Sequence, residues 1–326
     1  MNPKGPRSIL VTGADGFVGR HLCPALLRHF PNASLTAYLR DSNKPFAEGR
    51  VCHGDVTDAA SLEQAFHEAR PEIVVHLAAQ SSVGQSAADR QATWQVNVEG
   101  TKFVATSAAS IGSVECFLFV SSGEVYGRSL TAGPANETTP LDPINNYAES
   151  KVKAEAAAAH ALAGSRARLV VCRPFNHCGP GQHERFVVAR LAAQVARIER
   201  GVQSPIVTAG DLSIRRDFLD VRDVAEAYAA LIERAAELPE FAVFNIASGH
   251  GRELVEILSI LRAASSARFD VSTDPAMLRP AEIANAVGDA GALRALTGWR
   301  PRRTFEETVR DTLGFFRDRT AQLGAG

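Results

Sequence analysis

Cysteine is sparse and without pattern: Cys23, Cys52, Cys116, Cys172 and Cys178 are odd in number and contain no Cys-x-x-Cys pair. This argues against a disulfide framework and a cysteine zinc site. The five read as reduced thiols serving as small buried apolar residues, and no metal is expected. An excess of one charge is missing as well. With 35 Lys+Arg against 36 Asp+Glu the net charge is −1, so no global field recruits nucleic acid or an anionic membrane, and any arginine that binds an anion acts locally. Long apolar runs are absent: the run after Lys4 and Arg7 stops at Thr12, and no later stretch approaches bilayer length. Internal repeats and low-complexity segments are lacking too, although residues 154–163 are alanine-rich and strongly helical by propensity. The expectation is a soluble cytoplasmic protein.

What is present is alternation. Strand-like segments at 9–11, 35–39, 73–77, 117–121 and 169–173 are separated by helix-like segments at 17–30, 61–69, 92–111 and 146–163. Such alternation predicts a parallel sheet covered on both faces. At 326 residues and 45% hydrophobic content the chain can bury a large core, as one large α/β domain or two intimately joined ones. Pro24 lies inside the first helix, where it removes the hydrogen bond to the Arg20 carbonyl and predicts a bend. After Pro174 the texture changes. Gly179-Pro180-Gly181 marks a loop, 186–200 a long helix, and from Gly249 onward short strands and helices mix. The predicted fold is α/β, a doubly wound parallel sheet with a smaller mixed α/β lobe closing over the sheet's carboxyl edge, where ligands of open α/β sheets bind.

Residues 8–12 read as a short buried strand, and Gly13-x-x-Gly16-x-x-Gly19 follows at once, opening a helix. The first glycine permits a tight turn, the second lets backbone N–H groups approach a pyrophosphate, and the third lets helix and strand pack closely. The helix N-terminus then faces the phosphates. Further on, Tyr147-Ala148-Glu149-Ser150-Lys151 puts a phenol and an ammonium four residues apart on one helix face. A lysine so placed is expected to lower the tyrosine pKa and make it a usable general acid or base. Upstream, the segment Val120-Ser121-Ser122-Gly123-Glu124-Val125-Tyr126-Gly127 ends a buried strand, so Ser122 emerges at the carboxyl edge with a hydroxyl able to bind a substrate oxygen. Ser122, Tyr147 and Lys151 form a proton-transfer set beside a dinucleotide site.

Together these motifs resemble the extended short-chain dehydrogenase/reductase family of nucleotide-sugar epimerases, dehydratases and reductases. The likeness runs from Thr12-Gly13 to Gly298-Trp299-Arg300-Pro301. It implies a Rossmann-type NAD(P)-binding domain in 1–174 plus about 220–247, and a nucleotide-sugar lobe in 175–219 and 248–326. For the cofactor it implies Gly13, Asp15, Gly16, Phe17, Val18 and Gly19 in the glycine loop, then Asp55 and Val56 beside the adenine. His76, Leu77, Ala78, Ala79 and Gln80 would line it, Asn97 would support the active-site helix, and Pro174, Tyr147 and Lys151 complete the set. The segments 173–182, 186–201, 216–224 and 274–282 resemble the branch that acts on GDP-mannose-derived sugars. For the GDP-sugar this implies Ser81, Ser82, Ser122, Gly123, Glu124 and Asn176, with Val187 and Arg190 near the base. Arg216 and Arg279 would meet the diphosphate and Glu282 a ribose hydroxyl. A homodimer packed through the 92–111 and 146–163 helices is also implied.

Cofactor choice falls at the end of the second strand, where an acid favours NAD and an arginine can pair with the 2′-phosphate of NADP. Arg40 in Tyr38-Leu39-Arg40-Asp41 favours NADP(H), while Asp41 beside it leaves NAD(H) open. The favoured activity is reduction of the C4 ketone of GDP-4-keto-6-deoxy-D-mannose to GDP-D-rhamnose. Glu124, two residues beyond Ser122, has the spacing of the base a GDP-mannose 4,6-dehydratase needs, so that activity stays open. A nucleotide-sugar 4-epimerase stands third. A non-catalytic dinucleotide-binding protein is a fourth reading, against which the intact Ser122, Tyr147 and Lys151 weigh. A 6-deoxyheptose substrate and either C4 configuration of the product fit the same residues.

Overall fold

The computed structural model describes residues 5–40, 46–277 and 283–323. In chain order the first part runs β1 (Ser8–Thr12), α1 (Gly19–His29), β2 (Ser34–Leu39), β3 (Arg50–His53), α2 (Ala59–Ala69), β4 (Ile73–His76), α3 (Val83–Ala88), α4 (Arg90–Trp94), α5 (Thr101–Ile111), β5 (Cys116–Val120), α6 (Asn146–Leu162) and β6 (Arg168–Pro174). The second runs β7 (Asn176–Cys178), α7 (Val187–Glu199), β8 (Ile206–Ala209), β9 (Arg215–Asp220), α8 (Val221–Glu233), β10 (Phe241–Ile246), β11 (Gly251–Glu253), α9 (Leu254–Ala264), β12 (Asp270–Thr273), β13 (Asn285–Ala286), α10 (Gly291–Thr297) and α11 (Phe305–Leu323).

Seven strands form one sheet in the order β10-β6-β5-β4-β1-β2-β3, and every pair is parallel. The strands are apolar at consecutive positions because both faces are covered. Along β1, Ile9 and Val11 pack with Leu22 and Leu26 of α1 and Leu231 of α8. Leu10 points the other way, to Leu62 and Phe66 of α2, Val104 of α5 and Ala158 of α6. The strand order reverses between β1 and β4, and such a switch point opens a crevice at the carboxyl ends of the strands. α1 passes through Pro24 without ending. All five cysteines are unpaired thiols; burial pushes Cys23 and Cys116 up to about 12.

Two departures from the sequence reading have clear causes. Strands β3 and β10 were not foreseen; β3 is a four-residue edge strand that begins with Arg50 and ends with His53, with no apolar run to mark it. The single helix expected over 92–111 is broken into α4, a π-helical turn at Gln95–Gly100, and α5. The wide turn sits where Asn97 faces inward onto other chain segments, and π turns often occur at functional positions.

The smaller lobe is built on β9, which pairs with β7, β11 and β13, beside a separate β8–β12 pair. Its core contains Leu191 and Val195 of α7, Ile257 and Leu261 of α9, and Leu313 and Phe316 of α11. Buried Asp217 ties this lobe together by accepting from the backbone N–H groups of Ser248, Gly249 and Gly288. Residues Ala290, Leu293 and Trp299 return to the core of the large sheet, and the Trp299 indole donates to the carbonyl of Asp223 in α8. Among the described residues no helix is long and apolar enough to cross a membrane.

Candidate active site

The glycine loop lies at the switch point. Gly13 has φ +69°, and a Cβ there would come 3.0 Å from the amide nitrogen of Ala78, so both conformation and space require glycine. At Gly19 a Cβ would lie 2.4 Å from the carbonyl oxygen of Ala14, which is why α1 can start directly against β1. The first turn of α1 contains no acidic residue and receives no side-chain cap; the N–H groups of Arg20, His21 and Leu22 donate to the carbonyls of Gly16 and Val18, and the positive end of the helix dipole faces the loop. This cradle fits the dinucleotide that the motif implies. Thr12 Oγ1 is hydrogen-bonded to His76 Nδ1 at 2.7 Å and accepts from the N–H of Ala78, which joins the ends of β1 and β4 beneath it.

Phe17 stacks on His177 of the smaller lobe with ring centroids 6.1 Å apart, and His21 hydrogen-bonds the carbonyl of Pro180, so the loop is also a junction between lobes. Asp15 and Val18 are half-buried there, and Gly16 is exposed. Arg40 is exposed at the end of β2, immediately before 41–45, so Asp41 lies outside the described residues. Asp55 accepts from the N–H and hydroxyl of Thr57, and Val56 packs on Gly100. Leu77, Ala78, Ala79 and Gln80 follow β4 as a half-buried ledge. Asn97 pins its end: its Oδ1 accepts from the Gln80 N–H, and its Nδ2 donates to the Gln80 carbonyl and to Ser150 Oγ at 2.9 Å. Ser81 is exposed, whereas Ser82 caps α3 by accepting from Gln85 N–H.

Ser122 follows β5, is buried, and accepts from the N–H of Glu124 at 3.2 Å. Asn145 caps α6 by accepting from Ala148 N–H, which sets the start of the helix so that Tyr147 and Lys151 both fall on its buried side. The Ser122 hydroxyl is a neighbour of the Tyr147 phenol and favours its ionised form. Lys151 Nζ sits 4.7 Å above the Phe119 ring. Electrostatics differ here from the sequence expectation that Lys151 lowers the Tyr147 pKa. Burial pushes Tyr147 up to about 12, opposed by the neighbouring Ser122 hydroxyl and reinforced by the charge of Glu124. Burial also lowers Lys151 to about 7, against a smaller opposing effect of Glu155, and drives His76 down to about 3, so that it is neutral. Spacing shows which groups are neighbours on a helix; it does not show how thoroughly both are removed from water.

Behind this set lies a polar network absent from the sequence reading. Arg173 donates to both oxygens of Glu155, at 3.0 and 2.7 Å, and to the Tyr126 hydroxyl. Ser121 donates to Glu155 Oε1 at 2.5 Å, and Tyr126 donates to Asn245. The one available signal was Glu155 itself, four residues past Lys151 on the same helix face.

The expected substrate residues are less uniformly arranged. Glu124 is half-buried and accepts from Asn145 Nδ2 at 3.4 Å; it is a charged neighbour of Arg216. Arg216 is held by the carbonyls of Arg215 and Ile283. Gly123 and Pro174 are buried, with a Gly123 Cβ reaching 3.0 Å from the Phe175 ring. Asn176 is exposed and Val187 half-buried at the start of α7. Arg190 is engaged by the carbonyls of Glu184 and Arg185 and by Met277 Sδ. Arg279 and Glu282 lie outside the described residues. Among the described residues no group of His, Cys, Asp and Glu is placed to hold a metal ion.

The profile of the NAD dependent epimerase/dehydratase family matches residues 9–247. The chain is 34% identical over 316 residues to GDP-6-deoxy-D-mannose reductase of Pseudomonas aeruginosa, covering 96% of this chain and 98% of that one. It is similar to the solved structure of RMD from Pseudomonas aeruginosa complexed with NADPH, with TM-score 0.81, 32% identity and coverage of 96% and 99%. A Thermus thermophilus UDP-glucose 4-epimerase complexed with NAD gives TM-score 0.82 at 29% identity, covering 95% and 99%. The chain belongs to the NAD-dependent epimerase/dehydratase family, and is an NAD(P)-dependent enzyme acting on nucleotide sugars.

Proposed function

We propose that this enzyme uses NADPH to reduce the C4 ketone of GDP-4-keto-6-deoxy-D-mannose, giving GDP-6-deoxy-D-mannose, also called GDP-D-rhamnose. The observation that carries the reading is the buried set of Ser122 beside the Tyr147 phenol, with Lys151 one turn further along α6, at the carboxyl edge beside the glycine loop. The relative 34% identical over nearly the whole chain supports the choice of sugar, and exposed Arg40 supports NADP(H) over NAD(H).

When bound, the nicotinamide supplies the hydride that C4 takes up. Tyr147 gives its proton to the C4 oxygen as the carbonyl becomes an alcohol, and Ser122 donates a hydrogen bond to the same oxygen. A phenol raised to about 12 is fully protonated at neutral pH, as a proton donor must be. Lys151 as an ammonium holds the nicotinamide ribose and stabilises the Tyr147 phenolate left behind. Arg216, already oriented by two carbonyls, presents its remaining N–H groups to the diphosphate. A second copy packed on α5 and α6 would complete a homodimer.

Glu124 favours one alternative, GDP-mannose 4,6-dehydratase, because it stands beside Tyr147 where a base could take the C5 proton. The test is the absorbance of NADPH on mixing with GDP-4-keto-6-deoxy-D-mannose. Enzyme-dependent loss, matched by formation of a 6-deoxyhexose nucleotide, supports the reductase. No loss with bound ketone, together with water elimination from GDP-mannose that Glu124→Gln abolishes, establishes the dehydratase instead.

A further inference from the structure

We propose that Glu155 is a positioning residue of this active site: its carboxylate, fixed by Arg173 and Ser121, keeps Lys151 in the ammonium form. The inference rests on the role given to Lys151 above. Three observations carry it. Tyr147, Lys151 and Glu155 recur every four residues, so they lie along one face of α6, and all three are buried. Glu155 is the end of a rigid relay. Its Oε1 accepts from Ser121 and from Arg173 Nε, its Oε2 from the other fork of Arg173, and Arg173 continues through Tyr126 to Asn245 at the end of β10. The two gripping residues are the chain neighbours of Ser122 and Pro174, so the same contacts align the ends of β5 and β6 with α6.

A buried ion pair is a poor way to gain stability, since apolar side chains of similar volume do as well or better. Its presence one turn from Lys151 is explained by its field. The groups facing Lys151 are few. Tyr147 and Glu155 come from α6, the uncharged Phe119 ring from β5, and neutral His76 from β4; Arg173 of β6 stands behind Glu155. Glu155 is therefore the one anion of the set, and it opposes the burial that brings Lys151 down to about 7. Near neutrality small changes in this field matter: a fall of one unit takes the ammonium fraction at pH 7 from about a half to about a tenth.

The chain contains only five lysines, Lys4, Lys44, Lys102, Lys151 and Lys153, so the Lys151 signal can be followed by NMR in the full-length protein labelled with ¹³C-lysine. No substrate is needed, which separates this test from the proposed reaction. In Glu155→Gln the titration of Lys151 moves down by about one pH unit, and in Arg173→Met it moves up. If Glu155→Gln is too unstable to study, the double variant E155Q/R173M leaves no unpaired buried charge, and its Lys151 titrates lower than in the native protein by a smaller step. With the ketone substrate, the high-pH limb of kcat shifts in the same directions, and Glu155→Asp restores it. Shifts of opposite sign in the two single variants support the proposal even if the protein does not reduce this ketone. Titrations that coincide with the native one, or move in the same direction in both, overturn it even if the protein does.

Discussion

The carboxyl edge of the large sheet and the smaller lobe are built to different standards of rigidity. At the edge, the residues around the reacting groups are tied to backbone or to a buried partner: Ser122 to Glu124 N–H, Asn97 to Gln80 and Ser150, Glu155 to Arg173 and Ser121. In the smaller lobe the matching residues are half-exposed or exposed, on strands as short as the three residues of β7. The reacting groups must hold their geometry through the reaction. Under the proposed function the lobe admits and releases a large nucleotide sugar, which calls for exposed polar surface. Under the proposed function, turnover depends on the edge and substrate affinity on the lobe.

Tyr147→Phe tests the edge and carries the largest expected effect. It removes the proton donor, so kcat falls by about 10²–10⁴ while cofactor affinity, measured by fluorescence quenching, stays near that of the native protein. A variant with full turnover would break the assignment. Arg216→Ala tests the lobe. In the proposed complex it removes a charge-assisted contact to the diphosphate, so KM for the GDP-sugar rises roughly tenfold to a hundredfold with a lesser change in kcat; the reverse pattern in steady-state kinetics would erase the distinction between the regions.

A smaller effect concerns stability of the lobe. Glu199 on α7 receives two hydrogen bonds of 2.7 Å from Arg317 on α11, and that guanidinium is the main reason its carboxyl is held down to about 2. A carboxyl lowered from about 4.5 stabilises the fold above pH 4.5 and loses that contribution progressively as pH falls toward 2. Arg317 is 40% exposed, so solvent screening limits the effect to about 1 kcal/mol or less. Arg317→Ala should lower the urea midpoint at pH 6 and leave the midpoint at pH 2 nearly unchanged. Equal losses at both values would mean that packing, and not charge, joins these helices.

The same contrast explains what could be read without coordinates. The glycine loop, Ser122, Tyr147 and Lys151 announce themselves through short-range spacing, which one strand end or one helix turn converts directly into geometry. Apolar runs marked five of the seven sheet strands for the same reason. The network of Ser121, Tyr126, Glu155, Arg173 and Asn245 spans 125 residues of chain and exists only once β5, β6, β10 and α6 are assembled. The inward turn of Asn97 depends on a π-helical turn that helix periodicity does not signal. Burial was the other missing quantity: it reversed the expected direction at Tyr147, where the neighbouring lysine was visible and the loss of water was not. Arg190 was named for the substrate from its motif, yet its guanidinium holds the loop at Glu184 and Arg185.

The most direct test of the central claim is the fate of the transferred hydrogen. The enzyme is supplied with GDP-4-keto-6-deoxy-D-mannose and NADPH carrying deuterium at both C4 positions of the nicotinamide, and the product is examined by mass spectrometry and NMR. The account predicts one deuterium in the sugar, at C4, for each NADPH oxidised, and loss of this transfer in Tyr147→Phe. A 6-deoxyhexose nucleotide without deuterium at C4, or undiminished transfer by Tyr147→Phe, would contradict it.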